Sequence, residues 1–288
     1  MAAAKELRKI LAEDRCVLAV GVYDGLSCLT AHKLGFKAAV MGGYPTSATK
    51  LGRPDFGLLT MSEMVAHLRY LTDSVDIPIV ADADTGYGNP INVIRTVMEY
   101  ERAGAAAILL EDQVAPKKCG HMAGKQVIPA KEHVQKIKAA LDTRKNSDLI
   151  IIARTDARSV NGIEDAIERA CMYKEAGADM TFVEAPTSVE ELARIPAEID
   201  CPQVANMIEG GKTPFLSVEE LGAMGFKLAF YTLGVQYAVA KTLERYMSHL
   251  ARYGTSDGYE GGMMNFEEFN SLVGLEKIRK AEEMYVSN

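Results

Sequence analysis

The chain is expected to fold as an α/β protein, a (β/α)₈ TIM-type barrel, on three observations. Short apolar, β-branched runs recur eight times, amphipathic helical stretches separate them, and no linker-like segment interrupts the series. Near-continuous apolar character marks strands covered on both faces, as parallel strands are. The runs are VLAVG (17–21), AAVMG (38–42), IPIVADAD (77–84), AAILLED (106–112), LIIIARTD (149–156), DMTFVEAP (179–186), PQVAN (202–206) and KLAFY (227–231). Between them lie GLSCLTAHKLG, SEMVAHLRYLTD, PINVIRTVMEYERAG, AKEHVQKIKAALD and EDAIERACMYKEAG, several closing on glycine, a usual helix stop. Eight unbroken units favour one closed barrel domain over residues 1–288 rather than an open doubly wound sheet. After residue 254 the turn TSDGYEGG leads into one further helix, FEEFNSLVGLEKIRKAEEMY, so 255–288 is expected to be a helical extension.

Composition narrows the function classes. With 48% hydrophobic and 25% charged residues, the chain can bury a large core and is not disordered. A net charge of -7 argues against nucleic acid or an anionic membrane as partner, since both reward a basic face. The opening MAAAKELRKILAEDR lacks the apolar run of a signal peptide, and no later window suits a membrane span, so a cytoplasmic protein is expected. Five cysteines (Cys16, Cys28, Cys119, Cys171, Cys201) fall at irregular spacing without a C-x-x-C pair, which fits neither a disulfide framework nor a zinc site.

Catalytic groups of such barrels sit at the carboxyl ends of the strands. Here those ends carry Asp82 and Asp84, Glu111 and Asp112, Arg154 and Asp156, Glu184, and Asn206. Any one of these could cap the following helix, but so many acids converging with an arginine on one rim are hard to explain as caps. Crowded carboxylates raise one another's pKa, and a divalent cation relieves the repulsion. Oxygen ligands alone point to Mg2+, with Mn2+ as the alternative, retaining open positions for a chelating 2-oxo acid.

Beyond the fourth run comes EDQVAPKKCGHMAGK, joining Lys117, Lys118, Cys119, Gly120 and His121. A thiol flanked by cations is expected to have a lowered pKa, which would make Cys119 an acid, base or nucleophile. Read alone, the segment is equally a basic surface loop with an incidental cysteine. NMIEGGKTP could offer backbone amides and Thr213 to a carboxylate, or be a plain turn. ADADTGYGNP lacks the lysine of a phosphate loop, which argues against nucleotide binding. His32, His67, His133 and His249 fall within helical patterns, where core or surface roles are commoner than metal ligation.

The order GVYDGLS, LGRPDFG, DADTGYG, LLEDQ, KKCGH, ARTDA, FVEAP and NMIEGGKTP spans the whole chain and resembles the isocitrate lyase and phosphoenolpyruvate mutase superfamily. The KKCGH loop is that of its lyase branch, and the overall pattern is most similar to enzymes of the dimethylmalate lyase type. The resemblance implies a (β/α)₈ barrel whose eighth helix is exchanged between subunits, an arrangement with which the tail helix after residue 254 is compatible, giving a homo-oligomer, a dimer of swapped dimers. It further implies that Asp84 is the principal Mg2+ ligand, supported by Asp82, Glu111 and Asp55. Lys117 and Arg154 stabilise the anionic substrate, Cys119 protonates the enolate left by cleavage, and Gly120 and His121 contact a carboxylate. Gly42, Gly43, Tyr44, Asn206 and Thr213 complete the substrate site, and Glu184 or a metal-linked base takes the hydroxyl proton.

Two departures bear on the substrate. Methylisocitrate lyases usually carry serine where Gly42 stands, and an arginine for a third carboxylate at the position aligned with Tyr237. Losing that cation removes a charge-assisted bond of roughly 1.5–3 kcal/mol, which favours dicarboxylates. The expected activity is therefore Mg2+-dependent cleavage of a small-molecule 2-hydroxy-dicarboxylate, of 2-alkylmalate or 2,3-dimethylmalate type, to a 2-oxo acid and a carboxylate. 2-Methylisocitrate, oxaloacetate or phosphonate chemistry are the alternatives.

Overall fold

The computed structural model describes residues 2–286. All eight apolar runs form strands: β1 Val17–Gly21, β2 Ala38–Met41, β3 Ile79–Asp82, β4 Ala107–Glu111, β5 Ile150–Thr155, β6 Met180–Val183, β7 Gln203–Met207 and β8 Leu228–Tyr231. Each pairs in parallel with the next, and β8 returns to β1 (Val17 opposite Leu228), closing the barrel.

Local chemistry sets the intervening helices. Helix Met61–Ser74 starts at Thr60, whose hydroxyl accepts from Glu63 N while the Glu63 carboxylate accepts from Thr60 N. Helix Pro90–Arg102 puts proline where an amide would have no partner, with Asn89 as cap. Reciprocal capping of this kind contributes about 1 kcal/mol per helix. Val17, Ala19, Val40, Val80, Leu109, Ile152, Phe182, Val204 and Phe230 fill the barrel interior. Leu7 and Ile10, from helix Ala2–Leu11, join that cluster. Phe182 and Phe230 meet edge to face at 6.1 Å, and truncating either to alanine should cost about 3–5 kcal/mol.

The residues fall into two compact units, Met1–Gly234 and Val235–Asn288. The first contains the entire barrel. In the second, helix Gly234–Tyr253 has no buried residue and exposes Val239, Leu243, Met247 and Leu250, an apolar row at helical spacing. The tail forms two helices rather than the one expected, Phe266–Leu272 and Leu275–Tyr285. Gly274, at φ +78°, breaks the run, because a left-handed residue cannot continue a right-handed helix. No described helix is long and apolar enough to cross a membrane.

Candidate functional site

The tips of β2, β3 and β4 build an acidic pocket around one cation. Asp82 Oδ2 accepts from Gly43 N at 3.0 Å and its Oδ1 accepts from Asp84 N at 2.9 Å. Asp84 is thereby held at φ +48°, a conformation that aspartate tolerates better than most residues. The Lys117 ammonium donates to Asp55 Oδ2 at 2.5 Å and stands 2.6 Å from Asp84 Oδ1. The two contacts set the ammonium between the carboxylates of Asp55 and Asp84. Burial pushes the Asp84 carboxyl up to about 7, Asp82 and Asp55 push it the same way, and Lys117 opposes them. Buried Glu111, with Oε1 unpartnered, is held well above the usual carboxylate range, chiefly by desolvation. A Cβ at Gly43 would come within 2.9 Å of both Asp55 Oδ2 and Lys117 Nζ, so any larger residue there would displace this ion pair.

A second cluster surrounds Arg154. Its guanidinium forks onto Asp156 (2.9 and 3.1 Å), lies 3.4 Å from Glu111 Oε2 and 3.2 Å from Glu184 Oε2, and rests over the Phe182 ring. Glu184 also meets His121 Nε2 at 2.9 Å. Burial raises its pKa, but Arg154 and His121 outweigh that and keep the carboxylate ionised below its usual range. Asp112 backs the cluster from outside, accepting from Thr155 Oγ1, Asp156 N and Tyr173 OH.

The loop carrying Cys119 is tied down at several points. Gln113 clasps the Lys118 backbone in both directions, Cys119 N donates to the Asp55 carbonyl, and His121 Nδ1 accepts from Lys212 N. Buried Lys125 donates to the Gly120 carbonyl and to Asp156 Oδ1 (2.7 Å). The expected lowering of the Cys119 pKa is not found; burial pushes the thiol up to about 11. Adjacency in sequence misleads at this point, because Lys117 turns to Asp55 and Asp84, and Lys118 to the Gly124 carbonyl. Cys119 is thus a protonated thiol, suited to giving a proton rather than attacking.

These groups enclose a cavity of about 50 Å³ lined by Gly42, Gly43, Tyr44, Asp55, Asp82, Lys117, Cys119, Gly120, His121, Arg154, Glu184 and Asn206. Asp84 and Glu111 stand behind that lining, joined to it through Lys117 and Arg154. Thr213 is buried with an unpartnered hydroxyl and is not among the lining residues.

A family model described as phosphoenolpyruvate phosphomutase matches residues 7–251. The chain is 47% identical over 287 residues to 2,3-dimethylmalate lyase of Eubacterium barkeri, covering 100% of this chain and 99% of the relative. Petal death protein of Dianthus caryophyllus is 47% identical over 280 residues, 97% of this chain and 88% of the relative. The chain belongs to the PEP mutase/isocitrate lyase superfamily. A solved oxaloacetate acetylhydrolase in complex with 3,3-difluorooxalacetate superposes with TM-score 0.94 at 35% identity, covering 100% of this chain and 98% of that one. Phosphonopyruvate hydrolase in complex with oxalate and Mg++ superposes with TM-score 0.90 at 27% identity, covering both chains fully.

For this superfamily member, the fit of a divalent ion rests on the carboxylates gathered at the strand tips, Asp55, Asp82, Asp84 and Glu111, and on the buried, unpartnered Oε1 of Glu111. Hard oxygen donors with excess negative charge suit Mg2+. Among the described residues no three acid, histidine or cysteine side chains converge into a ready cage, and the Lys117 ammonium lies between Asp55 and Asp84. The arrangement therefore fits an ion held by one or two carboxylates and completed by water, the usual habit of Mg2+. Sequence reasoning missed Lys125, although it closes the KKCGHMAGK segment, and the cavity-lining Pro45, Ile208, Thr232 and Leu233. Apolar residues at strand tips read as core, so nothing in their pattern marks the last group as part of a site.

Proposed function

We propose that the protein is a Mg2+-dependent carbon–carbon lyase cleaving a 2-hydroxy-dicarboxylate of the 2-alkylmalate or 2,3-dimethylmalate type to a 2-oxo acid and a carboxylate. The observation that carries this reading is one cavity in which a protonated thiol, Cys119, shares the lining with paired cations and acids. The 47% identity to 2,3-dimethylmalate lyase over the full chain supports the substrate class.

Asp84, Asp82, Glu111 and Asp55 are the side chains assigned to the metal, directly or through water. When bound, the ion would supply Lewis-acid stabilisation of the charge that develops on the 2-oxo acid. Lys117 and Arg154 bring positive charge to the substrate as negative charge develops during bond cleavage. Gly120, His121 and Asn206 orient its carboxylates, with Gly42, Gly43 and Tyr44 also on the wall. Glu184, ionised and in contact with His121 and Arg154, takes the proton of the 2-hydroxyl as the carbon–carbon bond breaks and the 2-oxo group forms. The Cys119 thiol then gives its proton to the carbanion of the departing fragment, a general-acid step for which a thiol protonated at neutral pH is suited.

The 35% identity to oxaloacetate acetylhydrolase favours oxaloacetate cleavage as a second activity of the same site. The assembly assigned to the chain is a homo-oligomer with the last barrel helix exchanged between subunits, supported by the exposed apolar row on helix Gly234–Tyr253. Coupled detection of pyruvate or other 2-oxo acids, across a panel of 2-hydroxy-dicarboxylates with Mg2+ or EDTA, tests the activity. Metal-dependent release from an alkylmalate is expected, and absence of release from every member, oxaloacetate included, overturns it.

A further inference from the structure

The wall of the cavity is divided in its chemistry. The tips of β3 to β7 deliver acids, an arginine and an amide, whereas β8 continues into Thr232 and Leu233, and the residues after Asn206 on β7 are Met207 and Ile208. Leu233 is only 3% exposed and Ile208 7% exposed, and both line the cavity with Pro45. Thr232 turns its hydroxyl to Asn206 Oδ1 (3.1 Å), so its polar atom is engaged by the protein. One part of the wall is therefore apolar, while every basic side chain on the lining (Lys117, His121 and Arg154) contacts an acid elsewhere on it or just behind it.

Such a division matches a ligand that is ionic at one end and alkyl at another. The side chains of Pro45, Ile208 and Leu233 offer a carboxylate no donor in exchange for the water it would lose, a cost that disfavours it against them. A methyl or ethyl group set there exchanges water for close apolar contact.

We propose that Pro45, Ile208 and Leu233 form the specificity surface that receives the short alkyl substituent of the substrate and rejects a third carboxylate. The assignment rests on the lyase reading of this site and adds the side chains that choose among its substrates. A pocket discriminates one methyl or methylene by roughly 10- to 200-fold, which sets the scale of the effect.

The test compares kcat/KM for malate-type substrates carrying hydrogen, methyl, ethyl or carboxymethyl as substituent, in the metal-loaded wild type and in Leu233→Ala, Ile208→Ala and the milder Ile208→Val. Turnover of the unsubstituted substrate reports that each variant is folded. The expected result is a wild-type preference for methyl or ethyl that falls about tenfold or more in the alanine variants and less in Ile208→Val. A preference unchanged in all three variants overturns the specificity surface while leaving the lyase reading intact. Wild-type cleavage of the carboxymethyl substrate as fast as the methyl one also overturns it. No turnover of any substrate by wild type overturns both readings together, which separates that failure from the others.

Discussion

Asp179 and Asp156 are both gripped by two cations, at opposite ends of the barrel, and the contrast separates structure from function. Asp179, just before β6, meets Arg8 at 2.8 Å and Arg144 at 2.5 Å and also accepts from Ile151 N, so both carboxylate oxygens are satisfied at a partly exposed site. Asp156, just after β5, shares Arg154 with Glu111 and Glu184 and lies fully buried. There acids outnumber cations, and Glu111 Oε1 has no hydrogen-bond partner. At the amino end a fully satisfied carboxylate ties β6 to two arginines, whereas the carboxyl end carries an excess of buried acids.

Perturbing the two ends should give different signatures. The largest effect is expected for Cys119→Ser, which should lower kcat about 10²- to 10⁴-fold, the usual worth of general acid catalysis, with the melting temperature unchanged. Arg154→Lys replaces a fork by a point charge, and should cut activity and cost about 3 kcal/mol in denaturant unfolding because buried acids lose partners. Arg8→Ala at the opposite end should cost only about 1 kcal/mol and leave kcat/KM unchanged. A loss of activity equal to that of Arg154→Lys would erase the distinction between the two ends.

His133 extends the contrast to a buried group outside the site. It is packed against Tyr173, and burial, aided by Lys136 and Arg169, lowers its pKa to about 3. The unfolded chain, with histidine near 6.5, therefore binds the proton more readily than the folded one. Stability is full above pH 6.5 and falls as pH drops toward 3, by up to about 1.4 kcal/mol per pH unit. His133→Leu should flatten that slope in urea titrations without altering activity at pH 7. The smallest effect belongs to Ala185, at φ +57°, where Ala185→Gly relieves strain and should change stability by about 1 kcal/mol or less.

Most of the barrel was legible because parallel strands covered on both faces must be apolar throughout, and all eight runs became strands. The cavity was legible from the polar residues that end each run, since Asp82, Arg154, Glu184 and Asn206 sit at strand tips by rule. Properties set by burial were not legible. Cys119 has two lysines beside it in sequence, yet desolvation governs its thiol because both lysines face other partners. Lys125 looked like a loop residue but is sealed against Asp156 and the Gly120 carbonyl. Leu233 and Ile208 are indistinguishable from core residues until the cavity is seen, and the break at Gly274 within the tail needed the backbone itself.

That excess negative charge at the rim recruits a hard divalent ion is tested most directly by calorimetric titration of Mg2+ or Mn2+ into the wild type and Asp84→Asn. One ion per chain is expected in the wild type, with a thermal stabilisation of about 2.7 kcal/mol at a hundredfold excess over Kd, and both should be strongly diminished in Asp84→Asn. Binding of equal strength in the two proteins, or none in the wild type, contradicts it.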